Sequence, residues 1–211
     1  RDDVESRGLG DVYKRQLYNG PECGASAPDH MHFQAAGKEE SLSTPFFKDF
    51  LNDIIEQTDF DDVPAIVNSY ANNTFITSIG LASILRSELI EKFENIYNIL
   101  STFYGKEPLI NIIAWYAIDS TKHGEDDEVV AWNCVIFLRS KHRPDCYYNQ
   151  GEKGLLISPA VAEMGGVFPI IREEDMDKLN TKEIIDIYKE ISLSPEQFET
   201  LCDELFRKDE V

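Results

Sequence analysis

His30, His32 and Gln34 stand at alternate positions of "PDHMHFQAA" (28–36), in a chain of 211 residues with only four histidines. In an extended strand, residues two apart share a face. The three polar side chains would point one way, and Met31, Phe33 and Ala35 the other, into a core. Two adjacent imidazoles lower each other's proton affinity, because neighbouring positive charges repel. A neutral imidazole near pH 7 is a competent nucleophile. Gln34 adds an amide able to bond a phosphoryl oxygen without moving a proton. The spacing is open to three readings. One is a nucleophilic site. Another is a metal site, since His-x-His on a strand offers two ligands, although no third ligand is close in sequence: Asp29 should face the other way, and His123 and His142 are remote. The last is an edge strand that simply exposes polar residues.

Two other groups could join such a site. Gly24, Ala25 and Ser26 precede the strand, and small residues let backbone N–H groups approach an anion closely. "RSKHRPDCYY" (139–148) packs Arg139, Lys141, His142 and Arg143 into five positions of a chain whose net charge is −19. Cations concentrated in this way either neutralise a phosphate beside a pocket or form a solvated basic turn. Lys153 in "GEKG" is a secondary candidate. His123 reads as an exposed loop residue. Glu163 in "AEMGG" reads as a turn residue, with a sugar hydroxyl as its alternative partner.

The elements that must position these residues follow from periodicity. A loop over 17–29 leads from the end of a strand into "HMHFQAA", whose period of two predicts a strand. Residues 43–57 predict a helix, with Pro45 in its first turn. Residues 73–80 are β-prone. Leu85, Leu89, Phe93, Ile96, Leu100 and Phe103 recur at three and four, which predicts a helix over 81–103 with those residues buried. Two β-branched and aromatic runs, 108–118 and 128–140, predict antiparallel neighbours. Residues 154–172 predict two short strands around the turn at Met164, Gly165 and Gly166. Residues 181–191 and 194–208 predict helices, the second opened by a Ser194–Gln197 capping box with Pro195 in the first turn. Strands without regular β-α-β alternation make the class α+β.

Composition sets the limits. A chain of this length can bury a real core. No apolar run is long enough to span a bilayer, and no secretory signal is visible, so a cytoplasmic location is expected. Cys23, Cys134, Cys146 and Cys202 are scattered, form no C-x-x-C pair, and are expected to be reduced thiols. The negative charge disfavours nucleic acid and anionic membranes as partners. Residues 1–16 lack any structural period, and "DVYKRQ" looks like a translated sequencing adapter. They are set aside as a non-native leader on a truncated reading frame.

"CGASAPDHMHFQA" resembles the signature of the histidine-triad superfamily in its transferase branch. That branch includes galactose-1-phosphate uridylyltransferase, diadenosine tetraphosphate phosphorylase and the GDP-hexose phosphorylases. The likeness is strongest to an uncharacterised bacterial family within it. It is specific over residues 19–36 and diffuse beyond. The resemblance implies a HIT-like, mostly antiparallel sheet with flanking helices. The tail of a first, incomplete repeat would lie at 17–36, a helical connection at 37–105, a second repeat at 106–175 and C-terminal helices at 176–211. It implies that His32 attacks an α-phosphorus, that Gln34 stabilises the nucleotidyl-histidine, and that His30 supports the site or holds a structural zinc. Asn19, thirteen residues before His32, would orient the nucleophile. Ser26 lies six residues before His32 where the family serine lies five before, so Asp29 reads as an insertion. The basic segment Arg139–Arg143 resembles the strand end of a second repeat and would bind phosphate.

The expected function is nucleotidyl transfer or phosphorolysis. Its substrate would be a nucleoside-diphosphate sugar or a dinucleoside polyphosphate, with phosphate as partner and no required cofactor. A homodimer is expected by the same resemblance. With most of the first repeat missing, weak or no turnover is expected of the 211 residues. The competing functions are a metal-dependent hydrolase using His30 and His32, and a nucleotide-sugar-binding protein without turnover.

Overall fold

The computed structural model describes residues 14–26, 32–37, 65–68, 75–119 and 129–206. The predicted helix at 43–57, together with His30, Met31 and His123, lies outside them; of His32 the backbone alone is described.

A six-stranded sheet forms the frame, in the order β2-β1-β5-β6-β4-β3, and every neighbouring pair is antiparallel. Its strands are β1 (Lys14–Asn19), β2 (His32–Gly37), β3 (Ala65–Asn68), β4 (Thr77–Ser83), β5 (Ile110–Asp119) and β6 (Val129–Leu138). The two apolar runs pair as expected, Ile110 against Leu138 through to Asp119 against Val129. Five helices follow the strands or lie between them: α1 (Arg86–Tyr104), α2 (Val161–Met164), α3 (Glu173–Met176), α4 (Thr181–Ile191) and α5 (Pro195–Phe206). The chain is α+β. Among the described residues, no helix is long and apolar enough to cross a membrane.

The sheet is covered on both faces. On one, Ile79, Leu81, Cys134, Ile136 and Leu138 pack against Ile96 and Leu100 of α1 and Phe198 and Leu201 of α5. On the other, Leu17, Ile113, Val135 and Phe137 pack against Leu155, Ile157, α2 and the Ile187, Tyr188, Ile191 stripe of α4. That stripe has the three-and-four spacing of a buried helix face. Asn180 caps α4 by accepting from the N–H groups of Lys182 and Glu183. The Ser194–Gln197 capping box forms with both bonds in place, 2.9 and 3.2 Å.

Four sequence expectations are corrected. Pairing begins at Lys14, so residues 14–16, set aside with the leader, are the first half of β1: an extended backbone next to β5 finds ladder partners whatever its side chains. Leu81, Ala82 and Ser83 belong to β4, because they pair with Cys134, Asn133 and Trp132 of β6; the helix starts after Leu85, which is exposed. Residues 154–160 are extended but form no strand. Their N–H groups go to Cys146 O and an Asp175 carboxylate rather than to a ladder, and 161–164 turn helical. Phe33 is 68 % exposed rather than in the core, because β2 is the sheet's edge strand; its ring meets Tyr18 with centroids 5.3 Å apart.

Candidate functional site

A row of polar side chains crosses one end of the sheet. Asn19 ends β1, Asn111 stands opposite it near the start of β5, and Arg139 follows β6. Arg139 is completely buried. A guanidinium can only donate. It gives its protons to Asn111 Oδ1 (3.0 Å), Pro159 O (2.7 Å), His142 O (2.7 Å) and Lys141 O (3.3 Å). With its oxygen so fixed, Asn111 must present Nδ2 on the other side, and that nitrogen donates to Asn19 Oδ1 (2.6 Å) and Cys23 O (2.9 Å). Val161 N–H also donates to Asn19 Oδ1, at 2.8 Å. Both lone pairs of that oxygen are occupied. Asn19 therefore turns its Nδ2 amino group outward, and among the described residues that group has no acceptor. Burial lowers the Arg139 guanidinium to about 10, still protonated at neutral pH.

The loop after β1 is clamped by the segment after β6. Gly24 N–H donates to His142 Nδ1 (3.1 Å), Ser158 Oγ donates to Gly24 O (2.6 Å), and Arg143 donates to Ser158 Oγ (2.7 Å) and Ala25 O (3.3 Å). Gly24 has φ +83°, and a Cβ there would lie 1.7 Å from Pro159 O, so no other residue fits. Because a backbone N–H donates to His142 Nδ1, that imidazole is neutral with its proton on Nε2. Burial holds it below the ordinary histidine value, helped by Arg143 and Arg139 and opposed by Glu22.

Sheet end and loop together wall a cleft of about 370 Å³. Asn19, Gly24, Ser26, Gln34, Arg143 and Glu163 line it. His32 pairs with Asn19 in the β1–β2 ladder, and Gln34 with Leu17. Paired residues share a face, so position 32 belongs to the face that carries Asn19 and the cleft-lining Gln34. The structure thus brings together Asn19, Gly24, Ser26, Gln34, Arg143 and the backbone of His32.

Three predicted phosphate ligands are placed elsewhere. Arg139 is a buried strut whose donors all go to protein oxygens. Lys141 pairs with Glu190 of α4 and with Asp145, which hold its ammonium above the usual lysine value. His142 holds the Gly24 loop rather than facing the cleft. The basic run is one cluster in sequence, but tertiary contacts send its members in different directions. Arg143 is its cleft-lining cation, and its guanidinium also stacks over the Tyr147 ring at 4.3 Å. Asn19 departs from expectation in one respect: its oxygen is committed, so it can offer the cleft a donor and not an acceptor for an imidazole N–H.

Sequence reasoning missed Asn111 and Ser158 and undervalued Glu163. The signal for Asn111 was available as a lone amide inside "PLINIIAWYAI". Glu163 is 9 % exposed, and burial raises its carboxyl above the ordinary range, against the lowering pull of the Ala160 N–H bond and Arg139. Among the described residues no three His, Cys, Asp or Glu side chains converge on a metal position. The His30 and His32 side chains, on which a metal reading turns, lie outside them.

With this geometry in place, the comparisons with known proteins become specific. Residues 131–209 match the family model described as GDPGP1-like, C-terminal domain. The match spans β6, the clamp segment and Glu163. Residues 11–37 match a domain of unknown function, DUF4922, which spans β1, the glycine loop and the His-x-His-x-Gln strand. No curated protein and no solved structure matches the chain. The two family matches cover the two chain segments that meet at the cleft. The GDPGP1-like match points in general terms to phosphorylase or transferase chemistry on nucleotide sugars.

Proposed function

We propose that this protein is a nucleotidyltransferase of the GDP-hexose phosphorylase type, acting through a covalent intermediate on His32. The observation that carries the reading is the register of Asn19 against His32 beside a cleft supplied with donors by Asn19 and Arg143. An imidazole nitrogen of His32 attacks the α-phosphorus of a nucleoside-diphosphate sugar. The bond from that phosphorus to the bridging oxygen breaks, and hexose 1-phosphate leaves with the electron pair. Inorganic phosphate then attacks the same phosphorus, the P–N bond breaks, and a nucleoside diphosphate departs. Asn19, Gln34 and Arg143 stabilise the phosphoryl oxygens during both displacements, each donor held before the reaction begins. Support comes from the GDPGP1-like match over 131–209 and from the sequence resemblance over 19–36.

The test is single-turnover labelling. The chain is incubated with GDP-glucose or UDP-glucose labelled at the α-phosphorus, denatured and separated from free nucleotide. Acid-labile, base-stable label on the wild-type chain and none on His32→Asn is expected. Label retained by His32→Asn, or none on either protein, would overturn the proposal.

A further inference from the structure

Glu163 differs chemically from the cleft's other charged side chain. Arg143 only donates, whereas an ionised carboxylate only accepts. Its Oε2 accepts the Ala160 N–H at 2.8 Å and so caps the short α2. That accounts for one oxygen. Among the described residues no donor reaches Oε1, although the side chain is nine-tenths buried. A buried acceptor without a donor is costly, and a wall of the cleft is where a ligand could supply one. Val161, two residues before Glu163, is bonded to Asn19, so this acceptor and the outward Asn19 amino group belong to the same wall.

We propose that Glu163 recognises a neutral hydrogen-bond donor that the ligand carries beside its phosphate, supplied either by sugar hydroxyls or by purine N–H groups. The assignment rests on reading the cleft as a phosphoester site. Arg143 and the Asn19 amide take the anionic end, and Glu163 reads the group next to it. Bare phosphate satisfies only the first half. Glu163 is then a specificity residue: it separates hydroxylated or amino-bearing phosphoesters from apolar ones.

Glu163→Gln is the informative variant. Its amide oxygen still accepts from Ala160 N–H, keeping the cap, while its NH₂ replaces the open acceptor with a donor. The chain and the variant are titrated calorimetrically with five probes: inorganic phosphate, glucose 1-phosphate, cyclohexyl phosphate, GMP and purine riboside 5′-monophosphate. In the wild type, one donor-bearing probe should bind about 10-fold or more tighter than its donor-free partner, as expected for a hydrogen bond to a charged group. Glucose 1-phosphate over cyclohexyl phosphate would assign the donor to the sugar; GMP over purine riboside monophosphate would assign it to the base. Glu163→Gln should abolish that preference and leave phosphate affinity within about twofold. A preference that survives in the variant, or none in the wild type, overturns the inference. If the variant does not fold, the wild-type series decides alone. Failure of every probe, phosphate included, overturns the phosphoester cleft and this inference with it, whereas phosphate binding without discrimination removes Glu163 alone.

Discussion

His142 shows how a side chain can be placed by the fold in a role its sequence neighbours do not suggest. Amid Arg139, Lys141 and Arg143 it reads as one more phosphate ligand, yet its Nδ1 is the acceptor that holds Gly24. Only the neutral ring can do this. Its folded-state pKa is depressed relative to the unfolded value, first by burial and then by Arg143 and Arg139. The stability it contributes is therefore complete above about pH 6.5 and is lost as pH falls through the lower folded value. Urea midpoints measured from pH 7.5 to 5 should decline on the acid side, and His142→Gln, whose amide oxygen accepts without titrating, should flatten that decline. Equal acid sensitivity in the two proteins would exclude the clamp as its source. The residue types at the site were legible from sequence, because alternation in 30–34 and a basic run in an acidic chain are local signals. Their partners were not. Which way Lys141 or Arg143 turns depends on Glu190 and Ser158, distant in the chain.

Elements whose pattern is self-contained were easily read. The β5 and β6 ladder, α4 and the capped start of α5 each follow from residues within a dozen positions. Misreadings arose where tertiary pairing overrode local pattern. Leu81–Ser83 are as apolar as a helix start but pair with β6. Residues 154–160 are β-prone yet are buried by loop packing, with side chains and not a neighbouring strand satisfying part of their backbone. The loop between β1 and β2 depends on one such contact, the close approach of Gly24 to Pro159. Gly24→Ala combines a left-handed backbone with a clash against a carbonyl and should cost about 2 kcal/mol or more, lowering Tm by roughly 4 °C or more. Thermal melts check this; an unchanged Tm would mean the loop can leave Pro159 without loss.

At the scale of the molecule, the acidic surface and the donor-lined cleft oppose one another. A net charge of −19 repels anions over long distances and strains the compact state by self-repulsion, while Arg143 acts only nearby. The screening length shortens from about 30 Å at 0.01 M salt to about 8 Å at 0.15 M, so salt weakens the distant repulsion first. Tm should accordingly rise by a few degrees between those ionic strengths. Scanning fluorimetry across a sodium chloride series measures it, and a fall in Tm would show that ion pairs such as Lys141–Glu190 outweigh the repulsion.

The chain of bonds from Arg139 through Asn111 to Asn19 has an implication for inheritance of function. Each member's orientation is dictated by its predecessor, starting from a cation that never sees solvent. The sign of the group offered at the cleft is thus encoded three strands away. Reversing Asn111 alone would invert what Asn19 displays, so a protein could exchange one ligand polarity for another with every cleft-lining residue left untouched.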